Sequence, residues 1–226
     1  MTNIRQFTCN PFEEHAYLIS DGSGAAVLVD PGFLGNGENG ALDALLEKEG
    51  LRLQGILLTH AHFDHIYGVK HCVEKYGIPV YLHSGETPVL QGDAIFAAGS
   101  GMPAPDTDWT PTPVRDGQVL HFGQMSFKVI ETPGHSPGGV CYLCEEERQL
   151  FSGDTLFAGT IGNTQLPWAD YVRLIVSVME NSWAWTGTRT SIPATAAARP
   201  SATSARTIPS CNPSTKRIRR PAGWTA

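Results

Sequence analysis

Up to about residue 180 the chain alternates short apolar runs with polar turns, the pattern of a mixed α/β domain. Residues 16–19 and Ala25–Val29 are apolar runs separated by Asp21-Gly22-Ser23-Gly24, which predicts a strand, a turn and a strand, and Asp30-Pro31-Gly32 stops the second. Leu42, Leu45 and Leu46 recur at helical spacing over residues 41–49, with Gly50 as the stop. Residues 54–58 predict a buried strand. Residues 64–76 predict a helix with Ile66, Val69 and Val73 facing inward, and residues 79–82 another strand. Residues 84–98 have helical character interrupted by Pro88, and residues 99–113, rich in Gly, Pro, Asp and Thr, predict a surface loop. Three more strands are expected at 127–131, 139–144 and 149–152, then a helix around 171–179. The polar clusters stand just after strand ends, where α/β folds place their sites.

From about residue 181 this texture stops. Residues 182–226 are dominated by Ala, Thr, Arg, Pro and Ser, with no helical or strand period. The division expected is therefore a domain over 1–180 and an aberrant tail over 181–226.

Composition narrows the class. A chain of 226 residues suits one sizeable domain, and 41% hydrophobic with 17% charged residues is ordinary for a soluble protein. A net charge of −6 gives no electrostatic footprint for nucleic acid. No run approaches the ~18 apolar residues of a membrane span, and residues 1–8 lack a signal-peptide pattern. Five cysteines, at 9, 72, 141, 144 and 211, form no disulfide framework, so a reducing cytoplasm is expected. Cys141 and Cys144 form a Cys-x-x-Cys, but residues three apart in a strand point to opposite faces, which favours core packing.

The chemistry sits in Thr59-His60-Ala61-His62-Phe63-Asp64-His65, directly after a predicted strand. Imidazole nitrogen and carboxylate oxygen are ligands for zinc, iron and manganese. Two later segments supply candidate partners: His135 in Thr132-Pro133-Gly134-His135-Ser136-Pro137-Gly138-Gly139, and Asp154 in Phe151-Ser152-Gly153-Asp154-Thr155-Leu156-Phe157. Each alone is weak. His15, His71, His83 and His121 have no partners at ligand spacing and are expected to be structural or surface residues, with His15 a minor candidate to line the site.

In their order and spacing these three segments resemble the metallo-β-lactamase superfamily, and in particular its short glyoxalase II-like hydrolases. The likeness covers residues 1–180. It implies an αββα sandwich with two divalent metal ions at one edge, zinc first, with iron or manganese as alternatives. It also implies that His60, His62 and His135 hold the first ion, that Asp64 and His65 hold the second, and that Asp154 bridges them. Asp64 is then also the residue that orients the attacking water, activated as a hydroxide by the metals, and takes up its proton. The implied substrates are small acyl esters or thioesters. No nucleic-acid or membrane partner is expected, and the oligomeric state is open. A true β-lactamase is not expected, because nothing directs export.

Two departures qualify the likeness. Relatives carry Gly-Arg-x-Asp-Leu-Pro where this chain has Gly162-Asn163-Thr164-Gln165-Leu166-Pro167. They also carry a final strand ending in Tyr-Pro-Gly-His-Gly, whose histidine completes the second metal position, whereas no histidine follows His135 here. Read one base out of frame, codons for residues 191–196 are compatible with Tyr-Pro-Gly-His-Gly. The same shift makes residues 206–212 compatible with His-Asn-Pro-Phe-Leu-Gln. The expectation is a frame-shifted end from about residue 181, with the C-terminal strand and helix missing or disordered; the basic run at residues 216–220 falls inside it and carries no weight. Two alternatives follow: a single-iron persulfide dioxygenase using His60, His135 and Asp154, or a metal-binding protein of impaired activity.

Overall fold

The computed structural model describes residues 2–145, 147–181 and 190–193. One sheet contains β1 (Asn3–Cys9), β2 (Glu14–Ser20), β3 (Ala25–Val29), β4 (Arg52–Leu57), β5 (Val80–His83) and β6 (Pro111–Val114), side by side in that order. The other runs β13 (Thr190–Pro193), β10 (Gln149–Gly153), β9 (Val140–Cys144), β8 (Met125–Glu131), β7 (Val119–Phe122). A small hairpin joins β11 (Leu156–Phe157) to β12 (Thr160–Ile161). The helices are α1 (Gly35–Glu49), α2 (Phe63–Ile66), α3 (Val69–Tyr76), α4 (Thr87–Gly99) and α5 (Tyr171–Glu180).

The unbroken apolar runs of β2, β3 and β4 arise because those strands are covered on both faces. Ala16, Leu18, Ala26, Leu28 and Ile56 pack with Leu42 and Leu46 of α1, Val69 and Cys72 of α3 and Val89 of α4. Their neighbours Tyr17, Ile19, Val27, Val29 and Leu57 pack instead against Phe127, Val129, Tyr142 and Phe151 of the second sheet. A smaller cluster of Ile130, Cys141, Leu143 and Leu150 covers the far face of that sheet. Two sheets face to face with helices outside is the expected αββα arrangement. Cys141 and Cys144 fall in different clusters, as their spacing required.

Where elements differ from expectation, the cause is tertiary contact. The helix expected over 64–76 breaks at Gly68, whose N–H is taken by the Pro31 carbonyl at 2.8 Å. A Cβ there would lie 2.9 Å from both that oxygen and the Phe33 ring. Helix α4 tolerates Pro88 because it falls in the first turn, where an N–H has no intrahelical partner. Helix α1 begins six residues before its apolar spacing does, with Glu38 accepting the N–H groups of Leu34 (2.6 Å) and Asn10 (3.0 Å). Strand β6 takes up the end of the loop expected at 99–113 and runs one residue past it; its Pro111 and Pro113 are tolerated at a sheet edge.

The tail needs a correction. No strand was expected beyond residue 181, yet Thr190–Pro193 pairs in parallel with β10, with Pro193 opposite Gly153. A sheet edge offers backbone partners to any extended segment, so pairing there requires no apolar period. The remainder of the expected tail lies outside the described residues.

Helices α1 and α3 are clamped by one carboxylate. Asp43 accepts from Lys75 Nζ at 2.7 Å, from the Tyr76 hydroxyl, and faces His71 Nε2 at 3.1 Å. Partial burial opposes its ionisation, but hydrogen bonds from Lys75, Tyr76 and His71 outweigh that and hold its pKa at about 2 rather than 3.8. A depressed pKa stabilises the fold fully above the unfolded value and loses that contribution as pH falls through the folded one. The stability gap between wild type and Asp43→Asn, read from urea unfolding, should therefore narrow as pH falls from about 5 toward the Asp43 value of about 2. A gap independent of pH contradicts this assignment.

Candidate metal centre

The site is assembled from strand ends. Strand β4 delivers His60, His62, Asp64 and His65; β8 leads to His135, and β10 to Asp154. A Cβ at Gly153 would lie 2.2 Å from Thr59 Oγ1, and its φ of +50° suits glycine, so this small residue lets the β10 end approach the β4 end. The six ligand candidates are brought together. The His60 ring centroid lies 4.7 Å from His62, 4.0 Å from His65 and 4.9 Å from His135. One ring nitrogen each from His60, His62 and His135 lie within 4.8 Å of one another. The two oxygens of Asp154 divide between the groups: Oδ1 is 3.7 Å from His65 Nε2 and Oδ2 is 3.6 Å from His135 Nε2. Asp64 Oδ2 lies 3.7 Å from the same His65 nitrogen.

Hydrogen bonding sets the tautomers. The Thr59 hydroxyl has one proton, and it donates to Asp30 Oδ2 at 2.6 Å. The His60 Nδ1–H must then donate to Thr59 Oγ1 at 3.0 Å, leaving a lone pair on His60 Nε2. His135 Nδ1 donates to the Asn163 carbonyl at 2.9 Å, which likewise leaves Nε2 as the lone-pair nitrogen. That nitrogen faces His62 Nδ1 at 3.0 Å. The segment that departs from the family pattern thus still serves His135, because the contact uses backbone.

Several supporting residues escaped the sequence reading. Asp30, fully buried at φ +45°, accepts from Thr59 N at 2.7 Å and lies 3.4 Å from His65 Nδ1. The set Asp30, His60 and His65 also has ligand-like spacing, but both Asp30 oxygens are already engaged by Thr59, so its role is to orient. Glu86 accepts from Ala61 N at 2.8 Å and Gly138 N at 2.7 Å, tying together the two loops that carry the histidines. Asn10 Nδ2 donates to the Asp64 carbonyl at 2.8 Å. The only local signal for any of these was the Asp-Pro-Gly at the end of β3. By contrast, His71 pairs with Asp43, His83 with Glu131 and His15 lies beside Thr8, all apart from the cluster.

The electrostatics favour a cation. Burial, then the neighbouring histidines, push His60 and His62 well below the ordinary imidazole pKa. Burial also opposes charging His65, but Asp64, Asp30 and Asp154 outweigh it and raise it to about 10. Burial holds Glu14 well above the carboxylate range and lifts Asp93 to about 8. His60 Nε2, His62 Nε2 and His65 Nε2 are buried without a hydrogen-bond partner, while His65 Nδ1 faces Asp30 Oδ2 at 3.4 Å. Leaving such a group unsatisfied costs about 1–3 kcal/mol. Convergent lone pairs beside carboxylates are the donor set of a divalent zinc, iron or manganese ion, so the residues present fit a metal.

Thr59→Val keeps the side-chain shape and removes the hydroxyl that fixes His60. Its divalent-metal affinity, measured by chelator competition, should fall by about 10–100-fold, as for other partners that orient metal ligands. Unchanged affinity would show that this hydroxyl does not matter.

Comparison with known proteins gives the family. Residues 9–202 match the family model described as Metallo-beta-lactamase superfamily. The chain is 37% identical over 182 residues to a probable metallo-hydrolase of Bacillus subtilis, covering 78% of this chain and 82% of that protein. It is 30% identical over 182 residues to the hydroxyacylglutathione hydrolase GloC of Haemophilus influenzae, covering 78% and 82%. Among solved structures it is similar to TTHA1623 in a di-iron-bound form (36% identity, TM-score 0.73, covering 85% of this chain and 92% of that one). Among the described residues no helix is long and apolar enough to cross a membrane. The chain belongs to the metallo-β-lactamase superfamily and is a metal-binding hydrolase of that family.

Proposed function

We propose that this chain hydrolyses a small acyl ester or thioester with two divalent metal ions, zinc in the first instance. The observation that carries the reading is the convergence of the buried nitrogens of His60, His62 and His135, with Asp154 spanning from them to His65. Its likeness to the hydroxyacylglutathione hydrolase GloC supports thioester chemistry. In this reading His60, His62 and His135 hold the first ion, Asp64 and His65 the second, and Asp154 lies between. Ions held by these residues would supply polarisation of an acyl carbonyl and would bring the pKa of a water near neutrality. Asp64, with 14% of its side chain exposed, orients that water and receives its proton at a carboxylate oxygen. His60 and His135 are kept in one tautomer by Thr59 and the Asn163 carbonyl, so neither has to reorganise during turnover. None of the four described cysteines, all buried, forms a disulfide, which supports a cytoplasmic location.

The second position is weaker than the first. Strand β13 ends at Pro193, opposite Gly153, which is one residue before Asp154. Ala194, Thr195 and Ala196 follow, and none carries a metal ligand of the usual type. This supports the frame-shift reading, in which a histidine belongs at that point, and leaves Asp64, His65 and Asp154 to hold the second ion.

The test is metal content together with hydrolysis of a thioester and lactone panel. Turnover should vanish on chelation and return with zinc. His135→Ala should lower kcat/KM by more than about 100-fold, beyond the effect of a merely orienting partner. Restoring the reading frame from residue 181 should raise both zinc content per chain and kcat. A single iron with oxygen uptake, or turnover indifferent to His135→Ala, would overturn the proposal.

A further inference from the structure

Beside the metal ligands stands a run of aromatic side chains that the hydrolytic chemistry does not use. The Phe96 ring of α4 lies 5.8 Å from the His62 ring and 5.5 Å from Phe63. Phe63 in turn meets Phe12 at 5.3 Å and Tyr67 at 5.9 Å, and Phe12 is 43% exposed. One helical turn before Phe96, on the same face of α4, is Gly92. The Trp168 indole lies against it: a Cβ at Gly92 would be 2.5 Å from Trp168 Cζ2. Trp168 is 38% exposed and holds a φ of +67°, a conformation that a bulky residue rarely adopts. Backbone strain of this kind persists only where the surroundings impose it.

The chain thus places an indole, by way of a strained loop residue and a glycine that makes room for it, one turn along α4 from the ring that touches a metal-site histidine. Ile95, beside Phe96, is 80% exposed. The side chains along this path from His62 outward, namely Phe96, Phe63, Phe12, Tyr67 and Trp168, carry no charge, and the carboxyl of α4 nearby, Asp93, is buried. An anionic group would lose hydration among these rings without gaining a cationic partner from any of them. An alkyl or aryl group would gain contact area and edge-to-face ring contacts.

We propose that Phe96 and Trp168 form the subsite for the apolar acyl group of the substrate, so that the enzyme selects esters and thioesters with medium-length alkyl or aryl acyl chains. This rests on the hydrolase reading above and adds the substrate class. Gly92 contributes by leaving space for the indole.

Two measurements keep the two readings separable. The first is calorimetric Kd for straight-chain carboxylates of graded length, the acids that such hydrolysis would release, on the metal-loaded chain. The second is kcat/KM for the matching acyl thioesters on one common thiol. In the wild type both should improve by roughly fourfold per added methylene over the first few carbons. Trp168→Ala should flatten this dependence, and Gly92→Ala, which displaces the indole without removing it, should do the same. Phe96→Ala should flatten it further, with circular dichroism to verify folding. A length-dependent Kd without any turnover would sink the hydrolase reading and leave the subsite standing. Kd values independent of chain length, or a slope unchanged in Trp168→Ala and Gly92→Ala, would overturn the subsite even in an active hydrolase.

Discussion

Four imidazoles are packed within a few ångströms of one another at the end of the β-sandwich, where they are buried and several ring nitrogens have no protein hydrogen-bond partner. An interior normally rejects such an arrangement, because each unsatisfied buried group costs free energy and neighbouring protonated rings repel. Divalent cations held by His60, His62 and His135 and by His65 with its carboxylates would remove both objections. The surroundings are fitted to that need. Asp30, Asp64 and Asp154 face His65 and supply negative charge, while Thr59 and the Asn163 carbonyl direct the lone pairs of His60 and His135 inward.

The sandwich makes this arrangement rigid. Strands β3, β4, β8 and β10 end at the same edge, and the cross-links there are short and buried: Asp30 to Thr59, Glu86 to both Ala61 and Gly138, and the Tyr142 hydroxyl to the Leu58 carbonyl at 3.0 Å. The last of these ties the second sheet to the residue just ahead of Thr59-His60. The ligand-bearing loops are therefore held by hydrogen bonds that reach from one sheet to the other. Phe96 and Trp168, the proposed acyl subsite, take no part in those bonds.

Most of this was legible along the chain. The ligands are clustered in three short segments, and each follows an apolar run that had to be a strand, so the sandwich and the metal-site residues could be read together. What stayed hidden depends on long-range contact. Asp30 looks like a strand terminator until Thr59 is seen to bond it, and Glu86 is one acidic residue ahead of a proline-containing helix until two distant N–H groups converge on it. Gly68 breaks a helix for the sake of Pro31, 37 residues earlier by number, which no local period can signal. Strand β13 was missed for a related reason: its pairing is with the open backbone of β10, while its own residues have no strand pattern. Trp168 carries no motif at all, and its place is visible only from the space that Gly92 leaves.

The central claim is that the buried imidazoles are built to hold metal ions. It is tested most directly by thermal unfolding of metal-free chain with and without added zinc. Zinc at a hundred times its Kd should add about 2.7 kcal/mol of stability, which for a chain of this size raises Tm by roughly 5–10 °C. The rise should disappear in His60→Ala and His135→Ala. An unfolding temperature that zinc leaves unchanged, or raises equally in those variants, would contradict the account.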